Sequence, residues 1–198
     1  VKPFDWIRGT QVGGRSLIWG KQTYRWSDLD FKANLKDGYG VDWPIRYNDL
    51  APWYSHIEKF IGVSGESLNI PHLPDSEFLP PMELNCVENH LKEGISKKYN
   101  DRLLTIGRVA HITEGTKPGA GRSTCQHRNR CGRGCPYGAY FSSNSSTLPT
   151  AEATGNLTLR PDSLVSEVIY DPKTQKATGV KVIDRLTKEV LEFNSKII

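Results

Sequence analysis

Apolar residues recur along the chain with two different periods. In YNDLAPWYSHIEKFIGVSG, Leu50, Trp53, Tyr54, Ile57 and Ile61 fall at i, i+3, i+4, i+7 and i+11. That spacing predicts a helix with one apolar face. Asn48 is the expected cap at its start and Gly62 at its end. MELNCVENHLKEGISKKY predicts a second helix with Leu84, Val87, Leu91 and Ile95 inward, and Cys86 beside them as a core thiol. LLTIGRVAHIT alternates and predicts a strand. From Leu157 onward, three strand-like runs are separated by DPKTQK and LTK, the pattern of a β-meander. Residues 1–46 are rich in Gly, Trp and Arg and read as loop with short extended pieces. Residues 65–81, with Pro71, Pro74, Pro80 and Pro81, read as a surface loop.

The expected fold is α+β: an antiparallel β-sheet with packed helices and long loops. Its organisation reads as a loop region over 1–46, a helical region with a cysteine-rich loop over 47–150, and a meander over 151–198. Composition changes this little. A chain of 198 residues with 37% hydrophobic and 24% charged positions is ordinary for a globular protein. No apolar run approaches the length of a membrane span. The formal net charge of +4 is mild, and the basic residues are spread out, which does not indicate a nucleic-acid binder. The chain starts at Val1 and stops on SKII after an apolar run, so it reads as cut from a longer protein.

Two stretches carry candidate chemistry. RGTQVGGRSLIWG pairs Gly13 with Gly14 ahead of Ser16. Paired glycines allow positive φ and close approach of a ligand, and their N–H groups suit a phosphate or a ring edge. The plainer reading is a tight turn before a buried Trp19. No complete G-x-G-x-x-G is present. CQHRNRCGRGCPYGA spaces Cys125, Cys131 and Cys135 as C-x5-C-x3-C. Four readings stay open here: an iron–sulfur cluster, a zinc site with His127 as fourth ligand, a disulfide, or free thiols packing a loop. A small basic metal-binding module that holds nucleic acid is the alternative class of function. His56, His72, His90 and His111 read as surface or packing residues. The sequons at Asn144 and Asn156 matter only in a secreted eukaryotic protein.

Taken in order, VGGRSLIWG, GYGVDWPIRYNDLAPWYSHIEKFIGVSG and NLTLRPDSLVSEVIYDPKTQKATGVKV resemble three landmarks of the glucose–methanol–choline flavin oxidoreductases. The CPYGA run resembles the branch that holds gluconate 2-dehydrogenase and bacterial FAD-dependent glucose dehydrogenase. The resemblance implies an enzyme that oxidises a CH–OH group of an alcohol, sugar or sugar acid by hydride transfer to FAD. It implies FAD contacts at Gly13, Gly14, Ser16 and Trp19, and at the backbone of Val165 for the adenine. Trp19 stands where the family has Asn. Ile18 stands where a cousin has a flavin-linked histidine, which implies non-covalent FAD. The branch carries an iron–sulfur cluster on an adjacent cysteine pair plus a third cysteine. Gln126 breaks that pair, so a cluster here would need Cys125, Cys131 and Cys135, and would serve an electron-transfer partner. The family's pyrophosphate-binding strand and its catalytic histidine have no counterpart in this sequence. The resemblance therefore implies the middle of such an enzyme, with the catalytic histidine expected C-terminal to this chain.

Overall fold

The computed structural model describes residues 2–4 and 8–198, so residues 1 and 5–7 of the expected loop region lie outside the described residues. The chain divides into two compact units, Val1–Gly155 and Asn156–Ile198. The first holds a 3-10 turn at Gly14–Leu17 and helices α1 (Asp28–Phe31), α2 (Ala33–Asp37), α3 (Tyr47–Ile61), α4 (Cys86–Lys98) and α5 (Thr147–Glu152). It also holds strands β1 (Val63–Ser64) and β2 (Val109–Ala110), which pair antiparallel with Val63 opposite Ala110. A second 3-10 turn spans Cys131–Arg133. The second unit is a three-stranded antiparallel sheet ordered β3 (Ser163–Asp171), β4 (Lys176–Asp184), β5 (Val190–Asn194). Helices and antiparallel sheets thus coexist as α+β. The described helices all lie in the first unit, away from the three-stranded sheet in sequence. No helix of the described residues is long and apolar enough to cross a membrane.

Helix α3 forms where expected but starts differently. The Arg46 backbone N–H donates to the Asp49 carboxylate at 2.7 Å, and the Tyr47 N–H donates to Asp28 Oδ1 at 2.9 Å. These carboxylates satisfy the first turn, so Arg46 rather than Asn48 holds the cap position. Gly62 closes the helix at φ 77°. The buried face is rotated from the apolar stripe. Ile61 is buried, but Trp53 and Ile57 are 65% and 53% exposed. The cause is a buried polar cluster. Arg25 donates to Glu58 (Nη2–Oε2 2.6 Å), to the Tyr47 hydroxyl (2.9 Å) and to Ser55 Oγ (3.0 Å). Ser76 Oγ donates to the same Glu58 carboxylate. A buried ion pair held by several hydrogen bonds favours the helix side that carries Glu58 facing in.

Helix α4 has a reciprocal cap: Asn85 Oδ1 accepts from the N–H groups of Val87 and Glu88, and the Glu88 carboxylate accepts from the Asn85 N–H. Its expected inward stripe is covered only in part: Leu84 and Ile95 are half-buried. Val87 is 72% and Leu91 53% exposed, and Cys86 is exposed too, so none of these is a core residue in this unit. The reciprocal cap supplies partners for the first N–H groups of the helix. The expected strand over 103–113 shrinks to Val109–Ala110, because its partners are β1 and single bridges to Gln22 and Tyr140 rather than a strand of equal length. In the meander, Asp171 accepts from the Lys173 N–H and Asp184 from the N–H groups of Leu186 and Thr187. These aspartate turns fix the hairpins.

The core joins Ile61, Val63 and Ala110, with Trp19, Phe60, Phe78 and Phe141 against it. Beside it lies Arg122, only 2% exposed. It donates to the carbonyls of Ile61 (2.7 Å) and Gly138 (2.9 Å) and to Ser146 Oγ (3.1 Å). More distant contacts reach Phe60 O and Pro118 O. Burial pulls the Arg122 pKa down, opposed by the field of Cys135. Replacing Arg122 by Met leaves several buried carbonyls without donors. The expected loss is about 3 kcal/mol or more, read by urea denaturation, with Arg122→Lys recovering part of it.

Candidate functional site: the glycine loop and the cysteine loop

Gly13 and Gly14 take φ of 90° and 50°, as paired glycines allow. The turn uses its own donors. The Gly14 N–H donates to Gln11 O at 2.8 Å, and the Ser16 N–H and hydroxyl both donate to Gly13 O, at 3.1 and 2.6 Å. The N–H groups of Gly14 and Ser16 are therefore spent inside the loop rather than offered outward. The loop is backed by residues 142–146. Ser16 Oγ accepts from the Ser143 N–H at 3.0 Å, and Asn144 Nδ2 donates to Val12 O at 3.2 Å. A Cβ on Gly13 would sit 2.2 Å from Asn144 Oδ1. Gly13 is thus required twice, by its φ and by the asparagine behind it. Val12 and Ile18 are exposed to solvent.

Trp19 is half-buried and packs edge-on against Phe141, with centroids 6.1 Å apart. Its Nε1 is cut off from solvent and has no hydrogen-bond partner. Lys21, which no local pattern marks, is buried just beyond the loop at φ 57°. Its ammonium donates to Leu17 O at 3.2 Å and lies 4.6 Å from the centroid of the Tyr140 ring. The Tyr140 hydroxyl donates to Gly20 O at 2.9 Å. Burial lowers the Lys21 pKa, and the field of Cys131 works against that. A cavity of about 300 Å³ opens here between Leu17, Ile18 and Lys21 on one side and Cys131, Cys135 and Phe141 on the other.

The three cysteines of the loop do come together. Cys125, Cys131 and Cys135 all line a second cavity of about 260 Å³, with Met82, His111 and Tyr137. All are free thiols, so the disulfide reading does not hold in this structure. Among the described residues, no group of three or more His, Cys, Asp or Glu side chains is arranged to hold a metal ion. The iron–sulfur and zinc readings therefore lack support. The loop is pinned elsewhere: the Cys125 N–H donates to Ile112 O at 2.9 Å and the Ser123 N–H to Tyr137 O at 3.0 Å. Burial, followed by the neighbouring thiols Cys125 and Cys135, pushes the Cys131 thiol up from its ordinary pKa. His111 is buried, its Nε2 without a partner, and burial pulls its pKa down, with His127 adding to the effect.

Val165 belongs to the second unit. It lies on β3, an edge strand, and pairs with Val182 of β4 directly before a break in register at Ser166. Its side chain is 55% exposed. The free edge of β3 leaves main-chain groups available to a ligand.

Two outcomes follow from this geometry. Gly13→Ala should cost about 2 kcal/mol or more, from strain and overpacking together, and Asn144→Ala in the same chain should recover part of that in thermal melts. Alkylation of Cys131 by iodoacetamide, mapped by mass spectrometry, should keep accelerating as pH rises beyond the ordinary thiol pKa of about 8.5, because the thiolate is the nucleophile.

No family model matches the chain. It is 28% identical over 196 residues to 2-methyl-1,2-propanediol dehydrogenase of Mycolicibacterium austroafricanum, covering 94% of this chain and 33% of that protein. It is 25% identical to the fructose dehydrogenase large subunit of Gluconobacter japonicus, over 83% of this chain and 32% of that one. It is 24% identical to the gluconate 2-dehydrogenase flavoprotein of Pantoea cypripedii, over 94% and 35% respectively. Along most of its length the chain is thus a distant relative of oxidoreductases, a flavoprotein dehydrogenase among them, and it spans about a third of the length of these curated relatives.

Proposed function

We propose that this chain is the central part of a flavin oxidoreductase of the glucose–methanol–choline type, one that oxidises a CH–OH group of an alcohol, sugar or sugar acid. The observation that carries the reading is the run of similarity to a diol dehydrogenase over 94% of the chain. That run takes in all three landmark segments in order, from the glycine loop to the meander.

The residues present fit an FAD molecule in two places. In the first unit, a loop without side chains at Gly13 and Gly14 is held from behind by Ser143 and Asn144, which leaves its outer surface open to a flat ring system. In the second unit, Val165 sits on an unpaired strand edge beside a bulge, where main-chain groups can meet a purine. When bound, FAD would supply the acceptor for the hydride of the CH–OH carbon. Ser16 sets the loop's shape by bridging Gly13 to Ser143, and so acts as a positioning residue with both its hydrogen bonds committed. Trp19 anchors the loop to Phe141 from below. Ile18, at the position where a cousin of the family carries its flavin-linked histidine, offers no nucleophile, which supports a non-covalently held cofactor. His56, His72 and His90 are exposed and His111 is buried against Tyr140, and none of the four is assigned the proton of the alcohol. Electrons leave to an acceptor or electron-transfer partner outside the chain.

The test is a purified protein of natural length, kept anaerobic and offered diols, sugars and sugar acids in turn. The expected result is a flavin spectrum that one of them bleaches. A colourless protein, or a yellow one that no CH–OH compound bleaches, contradicts the proposal.

A further inference from the structure

The cavity under the cysteine loop is not used by the flavin reading. At about 260 Å³ it is far too small for a dinucleotide and falls just below the usual range of drug-sized ligand sites, about 300–1,000 Å³. Its walls include Met82, Pro136 and Tyr137 with the three free thiols, and its lining also includes Arg128 and Arg130. From residue 115 to residue 151 the sequence has no Asp or Glu, yet carries Lys117, Arg122, Arg128, Arg130 and Arg133. Arg122 is buried and committed to carbonyls. Arg128 and Arg130 are exposed, and neither enters an ion pair among the described residues.

We propose that this cavity binds a small anionic aromatic molecule, its ring against Met82 and Tyr137 and its carboxylate or sulfonate on Arg128 and Arg130. Charge decides the class. Guanidinium groups recognise planar carboxylates with paired hydrogen bonds, and no acid of the loop competes for them. A cationic ring would meet two arginines with no counter-charge. A bare inorganic anion would leave the apolar wall unfilled, where a buried ring gains about 25 cal/mol per Å² removed from water. The size of the cavity limits the ligand to one or two fused rings. The inference stands apart from the flavin proposal, since the ligand need not react.

The experiment is calorimetric titration of the natural-length protein with 2-naphthoate at low ionic strength, and with 2-naphthylmethylammonium, which carries the same ring and the opposite charge. The expected result is one site for 2-naphthoate, at least tenfold tighter than any site for the cation. The Arg128→Gln/Arg130→Gln variant should weaken 2-naphthoate tenfold or more with an unchanged circular dichroism spectrum. Met82→Trp, which fills the apolar wall, should weaken it as well. Absence of binding, equal affinity for the two ions, or full affinity in the arginine double variant overturns the proposal. The comparison of the two ions is made on the unaltered protein, so it decides even if a variant fails to fold. Neither titration needs flavin, so this outcome is independent of the bleaching test.

Discussion

The architecture of the first unit depends on a buried arginine that pairs with no acid among the described residues. Arg122 spends its donors on the last carbonyl of α3, on the loop carbonyl of Gly138 and on the Ser146 hydroxyl. Each of these acceptors would cost about 1–3 kcal/mol if buried without a donor. One side chain therefore ties the end of the longest helix to both ends of the cysteine loop. Gly138 is constrained by the same contact: at φ 59°, a Cβ there would lie 2.9 Å from Arg122 Cγ. The Arg25–Glu58 pair does the corresponding work at the middle of α3, setting the helix rotation. Two buried guanidinium clusters, more than the small apolar cluster of Ile61, Val63 and Ala110, give this unit its specific shape.

That skeleton brings the two notable loops together. Residues 142–146 back the glycine loop through Ser143 and Asn144 and contribute Ser146 to the Arg122 cluster. Cys131 and Cys135 line the cavity next to Ile18 and also the cavity next to Arg128. A change at Arg122 would thus be felt at both loops. The Gly14 and Ser16 N–H groups are satisfied within the turn, and a surface fixed in advance would meet a flat ligand with little ordering cost.

Much of this was legible in the sequence, for physical reasons. The meander follows from alternation and aspartate turns, and α3 from its period and Gly62. What was not legible depended on partners distant in the chain. The face of α3 is turned by Arg25, 33 residues before Glu58. The stripe of Val87 and Leu91 has helical spacing, but spacing does not say whether anything covers it. The glycine pair looked like a ligand contact, while Gly13 is also demanded by Asn144, which only the folded chain places there. Three cysteines in one loop left a metal as one of four readings; the side chains meet around a cavity, and among the described residues no group is arranged to hold a metal ion. Lys21 gave no signal, because a lysine after a glycine loop reads as surface until the fold buries it.

The most direct test of the central claim, that the glycine loop faces a flavin ring, is photolabelling with FAD carrying an azide at the 8-position of the ring. The natural-length protein would be loaded with this analogue, irradiated, digested with trypsin and sequenced by mass spectrometry. The account predicts label within Ser16–Lys21, the tryptic peptide that contains Ile18. Loading followed by label elsewhere, with that peptide unmodified, would contradict it.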